Sequence, residues 1–337
     1  MPAYEELESE VIEDGLCTYC GACVAACPLF HLKWLEGRPK RPEKKAACKD
    51  CEVCYHACYR TAFDKVAIEE EIFGRYSNED EDIGIYKRAV AAKVSDERIH
   101  EKAQDGGVVT AILLYLLEEQ LIDGAILTGK EEDGMPIPMV ATSKEEIISA
   151  AGTKYGASPN LLKLRTAVID DALDNICIVG LPCHVKAVQH LQHTNFDLAP
   201  AIKFVIGLFC YGNFKYERMI EGIAERGVNK CEVEKISVSK GVFHVRTRDT
   251  ELSITLKETG GWLSEYCQTC DDYSAELADI SVGSKGSEEG WSSVILRTEK
   301  GEELFSELET KGYLKTKELD NFELLKKDSL RKRQKSV

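Results

Sequence analysis

Eight cysteines near the start of the chain carry its clearest chemistry. Cys17, Cys20, Cys23 and Cys27 are spaced C-x2-C-x2-C-x3-C, and Cys48, Cys51, Cys54 and Cys58 repeat that spacing. Three thiolates on one tight loop match three corners of an iron–sulfur cubane, and the fourth, just beyond, crosses to a second cubane. The spacing predicts one [4Fe–4S] cluster on Cys17, Cys20, Cys23 and Cys58, and another on Cys48, Cys51, Cys54 and Cys27. Pro28 follows the first quartet as the pattern expects, while Tyr59 replaces the second proline without removing a ligand. Structural zinc uses separated cysteine pairs and needs no such triplet. A disulfide scaffold suits a much shorter chain than these 337 residues with their 14 cysteines.

Six cysteines remain. Cys183 and Cys210 each sit just past a segment that reads as a buried strand, and Cys267 and Cys270 form a C-x2-C pair. Strand ends on one sheet edge converge, so these four could hold a third cubane; isolated cysteines are also commonly inert core residues. Cys177, inside a strand, and Cys231 read as structural thiols.

The elements that must position these groups follow from pattern. At 44% hydrophobic and 30% charged, the composition is that of a soluble globular protein with room for two or three domains. A formal charge of −15 argues against a nucleic-acid partner. Residues 2–14 are acidic and lack an apolar leader, and the longest apolar run, Ala111–Leu117, is far short of the roughly 20 residues a bilayer demands. The expectation is a reducing cytoplasmic compartment, with no transmembrane segment and at most a peripheral place on the cytoplasmic membrane face.

Residues 1–64 form the cysteine module, and the acidic stretch 65–83 reads as a solvated linker. From residue 84 strands and helices alternate. Ala89–Val94 is a strand, Gly106-Gly107 opens the core helix 108–122, and 125–127 and 139–142 are short strands. A glycine-rich loop spans 150–160, a helix covers 161–173, and strands at 176–179 and 204–209 flank a helix after Pro182. Alternation at Phe243–Thr247 and Leu252–Leu256 marks a hairpin, which argues against a purely parallel sheet. Strands at 280–282 and 294–298 and a helix at 302–311 complete the unit. Residues 316–337 read as a basic tail without fixed structure.

Several short stretches in fixed order resemble the family of coenzyme F420 hydrogenase/dehydrogenase beta subunits. They are Gln104–Gly107, Gly152–Tyr155 with Ser158–Asn160, Pro182-Cys183, Cys267-x2-Cys270, Glu276–Asp279 and Gly290–Ser292. The resemblance runs from about Tyr86 to Leu314. It implies one FAD, one cubane on Cys183, Cys210, Cys267 and Cys270, and hydride exchange with coenzyme F420. The fold class is then α+β: an N-terminal two-[4Fe–4S] ferredoxin-like module followed by a mixed-sheet α/β flavin-binding domain over 84–315. The N-terminal module is a departure from the hydrogenase subunit. It is similar instead to the input subunit of archaeal reduced-F420 dehydrogenases, which feed a membrane quinone or phenazine complex. The F420-dependent sulfite reductases share this front half but continue into a sirohaem domain, for which no residues are left.

A reduced deazaflavin gives a hydride, whereas a cubane takes single electrons; a flavin converts one into the other. The expected function is FAD-dependent oxidation of reduced F420, with electrons passed to a membrane-bound dehydrogenase complex or to ferredoxin. The alternatives are a free-standing reductase of the family driven by ferredoxin, or a pure iron–sulfur carrier. The long domain after Asp82 weighs against the carrier. Gly106, Gly107 and Thr110, at a helix N-terminus, suit the FAD diphosphate, although glycines also simply cap helices. Thr153, Lys154, Tyr155, Ser158 and Asn160 are candidate flavin or phosphate contacts, with a surface lysine and a packed tyrosine as the plainer account. Gly283, Ser284 and Gly286 form a second candidate loop. Lys240 and Lys285 are candidates for the acidic tail of F420. His184, beside Cys183, reads as a satisfied polar histidine. Direct hydride transfer requires no general acid or base, so no catalytic residue is assigned.

Overall fold

The computed structural model describes residues 3–41, 48, 50–239 and 241–335. Lys240 lies outside them. The N-terminal module comprises helices α1 (Ala3–Leu7) and α2 (Ala22–Ala26), a hairpin of β1 (Lys33–Leu35) and β2 (Arg38–Lys40), α3 (Val53–His56) and α4 (Lys65–Phe73). The larger unit continues as β3 (Arg88–Val94), α5 (Glu97–Lys102), α6 (Val108–Glu118), β4 (Gly124–Lys130), β5 (Pro136–Ala141), α7 (Lys144–Ser149) and α8 (Leu162–Arg165). Then come β6 (Ile176–Gly180), α9 (Pro182–His193), β7 (Ile202–Leu208), α10 (Tyr216–Ala224), β8 (Lys235–Ser239), β9 (Val242–Arg246) and β10 (Glu251–Thr255). Finally come β11 (Ile280–Gly283), β12 (Ser292–Leu296), α11 (Glu299–Thr310), β13 (Leu314–Lys317) and α12 (Phe322–Lys335).

Eight strands form one mixed sheet in the order β13-β3-β12-β11-β7-β6-β4-β5. The central run β11-β7-β6-β4 is parallel, and the strands outside it pair antiparallel. Buried parallel strands need apolar side chains on both faces, and β6 (ICIVG) is buried at every position. Helix α6 is apolar over most of its circumference and packs into the core beside α11, through Phe305 and Leu308. Cys177 is fully buried in β6, whereas Cys231 is exposed and so is not a structural core thiol.

The hairpin forms as β9 and β10, but it does not join the main sheet. With β8, which pattern alone did not reveal, it makes a separate antiparallel three-stranded sheet whose apolar face covers Met219, Ile223 and Trp262. The main sheet is mixed because of its own edge strands.

Two further expectations are corrected. Residues 65–83 are no solvated linker: α4 is capped by Asp64 and buries Ile68 and Glu69, and the Glu69 carboxylate accepts bonds from Ser77. Nor are residues 316–335, the described part of the expected tail 316–337, a loose tail. Helix α12 buries Leu325, Ser329 and Lys332, and Ser329 Oγ donates to the Asp82 carbonyl at 2.6 Å. Counting charges missed both because the opposite charges lie far away in sequence. Lys65 and Arg333 meet on one carboxylate, Glu276, which is 3% exposed and takes each at 2.7 Å. Burial alone would raise this carboxyl, but the two cations outweigh it and hold it below the usual range.

The turn from β6 into α9 is fixed by contact. A Cβ at Gly180 would come within 2.5 Å of the His184 Cβ, so only glycine lets the helix close on the strand. Pro182 starts α9, where its missing N–H costs nothing. His184 is 4% exposed, and its Nδ1 accepts the Leu181 N–H at 3.2 Å. Burial lowers its pKa to about 4.

Two outcomes follow for stability. Between an unfolded value of about 6.5 and the folded value of about 4, only the unfolded chain holds the His184 proton, so stability falls as pH drops through that window. The stability gap between the native chain and H184Q, read by urea unfolding, should therefore narrow by about 2 kcal/mol from pH 7 to pH 5. Glu276→Gln strands two cations on one carbonyl and should cost about 3 kcal/mol in the same assay at pH 7.

Candidate functional site

The N-terminal cysteines gather as two crossed sets. Gly21, at φ +89°, turns the chain into α2, and a Cβ there would meet the Leu162 backbone N at 2.8 Å, so the loop seats directly on α8. Leu161 N–H donates to the Cys20 carbonyl at 2.9 Å, and Arg165 Nε to the Ala25 carbonyl at 3.1 Å. Cys58 is pushed up to about 12 by burial and then by the thiols of Cys20 and Cys17. Burial, followed by Cys58, Cys20 and Cys17, raises Cys23. Cys54 is pushed up to about 12 by burial and then by Cys27 and Cys51. The fourth cysteine of each run therefore faces the other run. The Cys51 N–H bonds the Cys48 carbonyl at 3.4 Å, His31 Nδ1 lies 3.1 Å from Cys48 Sγ, and Leu32 N–H donates to Cys27 Sγ at 3.4 Å.

The second group comes from three separate elements. Cys183 sits in the first turn of α9, Cys210 two residues past β7, and Cys267 and Cys270 around the turn Glu265–Thr269. All four line one cavity. Three residues of the N-terminal module, Thr18, Tyr59 and Arg60, complete its wall. Burial raises Cys183, with Cys210, Cys270 and Cys20 adding to the effect, so this group adjoins the Cys17–Cys20–Cys23–Cys58 set. Asn213 N–H donates to Cys267 Sγ at 3.2 Å. Two lysines stand beside it: Lys186 pairs with Asp271, and Lys332 reaches in from α12. Among the described residues no group of three or more His, Cys, Asp or Glu is arranged to hold a metal ion. A zinc ion draws its sulfurs to about 2.3 Å of one point, whereas a cubane takes one thiolate at each corner.

The candidate flavin residues fall into two kinds. Some line the approach to α6. Gly107, at φ +71°, is its N-cap and offers no side-chain cap, leaving the first-turn N–H groups for another acceptor. Thr110 lies in that turn and is 8% exposed. Gly106 has a packing reason of its own, since a Cβ there would lie 2.4 Å from the Ala92 carbonyl, and its N–H donates to Ser292 Oγ. Three other segments meet the chain at Gln104 and Gly106. Thr153 N–H reaches Gln104 Oε1 at 3.5 Å, Lys235 Nζ reaches the Gln104 carbonyl at 3.4 Å, and Ser292 holds Gly106.

The remainder are engaged by the protein. Lys154 Nζ bonds the carbonyls of Ala151 and Gly152 at 3.0 Å each, and burial lowers it to about 8. Tyr155 packs edge-on against Phe243, 5.9 Å between centroids. Ser158 Oγ donates to Asn160 Oδ1, and Asn160 Nδ2 to the Val179 carbonyl at 3.1 Å, a buried knot tying the loop to β6. Gly283 leaves no room beside Phe209. Ser284 and Gly286 lie in the turn after β11, where the Asn321 N–H donates to the Gly286 carbonyl at 2.8 Å. Lys285 pairs with Asp328 at 3.1 Å.

Sequence reasoning found the cysteines but missed Lys332, Arg60 and His31. Nothing in the basic run around Lys332 distinguishes that lysine from its neighbours. His31 lies between the quartets and carried the only local signal.

Residues 89–165 match the model for the N-terminal part of the coenzyme F420 hydrogenase/dehydrogenase beta subunit, and residues 173–321 match that for its C-terminal part. The chain is 40% identical over 263 residues to the beta subunit of coenzyme F420 hydrogenase from Methanothermobacter thermautotrophicus, covering 75% of this chain and 94% of that one. It is 32% identical to a subunit of the F420H2 dehydrogenase of Methanosarcina mazei, over 88% of this chain and 83% of that one. With the coenzyme F420-dependent sulfite reductase of Methanocaldococcus jannaschii the identity is 34% over 96% of this chain but 51% of the other. A chain from the F420-reducing [NiFe] hydrogenase complex of Methanosarcina barkeri superposes with a TM-score of 0.74 at 36% identity, covering 77% of this chain and 93% of that one. The protein belongs to the family of coenzyme F420 hydrogenase/dehydrogenase beta subunits.

Proposed function

We propose that this chain is the electron-input subunit of a larger assembly: it oxidises reduced coenzyme F420 with a bound FAD and passes the electrons on through three [4Fe–4S] clusters. The observation that carries this reading is the single cavity shared by Cys183, Cys210, Cys267 and Cys270, walled on one side by residues of the N-terminal module. A free carrier has no need of a sheet domain that builds a cysteine site against its own clusters. A flavin takes electrons as a pair and releases them singly, the conversion that cubanes require.

The chain's own residues bind and orient. The twelve cysteines would hold the clusters: Cys17, Cys20, Cys23 and Cys58; Cys27, Cys48, Cys51 and Cys54; and Cys183, Cys210, Cys267 and Cys270. Gly107 and the first turn of α6, to Thr110, offer N–H groups to the FAD diphosphate. Lys235 and Thr153 hold the Gln104–Gly106 approach in place. Lys186 and Arg60 bring positive charge to the cavity wall, where added negative charge must be accommodated. The loop 283–286 is held by Asp328 and Asn321 rather than free to clamp a ligand.

The receiving partner would be a membrane-bound dehydrogenase complex or ferredoxin. Among the described residues no helix is long and apolar enough to cross a membrane, so contact with such a complex would be through protein surfaces. The near-complete alignment with half of a sulfite reductase favours a second reading, in which the electrons go to a separate reductase protein. Acceptor assays separate the two: quinone or phenazine reduction requiring the membrane complex supports the first, and sulfite reduction with an added reductase supports the second.

Anaerobic purification should give about twelve irons and one FAD per chain. Cys183→Ser should lower this to about eight irons while the N-terminal clusters persist; Cys231→Ser, on the exposed thiol, should change nothing. About eight irons in the native chain, with no flavin, would leave the carrier alternative standing.

A further inference from the structure

Lys332 is the most buried lysine of the C-terminal helix, at 3% exposed. Its Nζ donates to the Cys210 carbonyl at 2.5 Å and lies on the cavity lined by the four cysteines. Burying an ammonium is costly unless an opposite charge meets it. Lys186, the other lysine on this wall, meets Asp271. Among the described residues Lys332 has no carboxylate within ion-pair distance, although Asp272 is near. The Asp272 carboxylate instead accepts the Glu276 N–H at 3.2 Å. The side chains that Lys332 faces at close range are cysteines, Cys210 and Cys270.

Helix α12 does not depend on this lysine for its place. Leu325 is fully buried, Ser329 holds the Asp82 carbonyl, Arg333 holds Glu276, and Asp328 holds Lys285. These four contacts bring one ammonium to the site from beyond residue 321, where the matched family segment ends.

We propose that Lys332 is a positioning residue for the third cluster, a buried cation that makes the group held by Cys183, Cys210, Cys267 and Cys270 easier to reduce. The inference rests on the three-cluster reading above. Reduction adds one electron to the cluster and moves no proton at Lys332. The ammonium favours the more negative reduced form over the oxidised one, which raises the potential of that site alone. The N-terminal clusters gain nothing from it. The cluster nearest the cavity's cation becomes the preferred first acceptor, and the C-terminal helix sets its poise.

The test is a potentiometric titration followed by EPR on the full chain, purified without oxygen, for the native protein and for K332M, K332Q and K332R. In K332M and K332Q one of the three midpoint potentials should shift downward with the other two unmoved, and K332R should return it towards the native value. K332Q can still donate to the Cys210 carbonyl, so it reads the charge itself if K332M fails to assemble. Three unchanged potentials in K332M and K332Q overturn the inference. So does loss of the third cluster from all three variants, since a purely structural lysine would behave that way. A native chain with about eight irons removes the third cluster itself, and the iron count shows this before any potential is read.

Discussion

The structure is organised around buried ionisable side chains beyond the ends of its parallel strands. Cysteines and carboxylates collect there: Cys183, Cys210, Cys267 and Cys270 with Asp272 and Glu276. An ionised carboxylate such as Glu276 is unstable in a dry interior unless cations are brought to it with good geometry. Cations arrive from three directions, with Lys65 from the end of the N-terminal module, Lys186 from α9, and Lys332 and Arg333 from α12. The segments before and after the sheet domain are thereby tied to its centre, and the site cannot be separated from the docking of the chain's two ends.

This constraint explains where the sequence was readable. The N-terminal quartets were legible because their geometry is local: three thiolates on one loop have a spacing that few other uses require. The parallel strands were legible from runs such as Ile176–Val179, and α6 from apolar residues on every side. The third cysteine set was only partly legible, since Cys183, Cys210 and the Cys267 pair are joined by strand order, which spacing does not encode.

What stayed hidden was long-range charge. The acidic run at 65–83 and the basic run after 326 each look solvated when read alone, and both are folded because Glu276 joins Lys65 to Arg333. The separate sheet of β8, β9 and β10 was hidden for a related reason: a hairpin reveals its own pairing but not the sheet it joins. Gly106 and Gly107 were correctly placed at a helix start. For Gly106, contact with Ala92 and Ser292 demands glycine whatever the helix binds.

The proposed function requires that paired electrons enter this one polypeptide and spread singly within it. Anaerobic titration with reduced F420, followed by absorbance, measures that uptake directly. One flavin and three one-electron clusters predict about five electrons per chain, or roughly two and a half equivalents of reduced coenzyme. A chain that reduced F420 leaves oxidised, while dithionite still delivers about two electrons to it, would be a plain iron–sulfur carrier and would contradict the account.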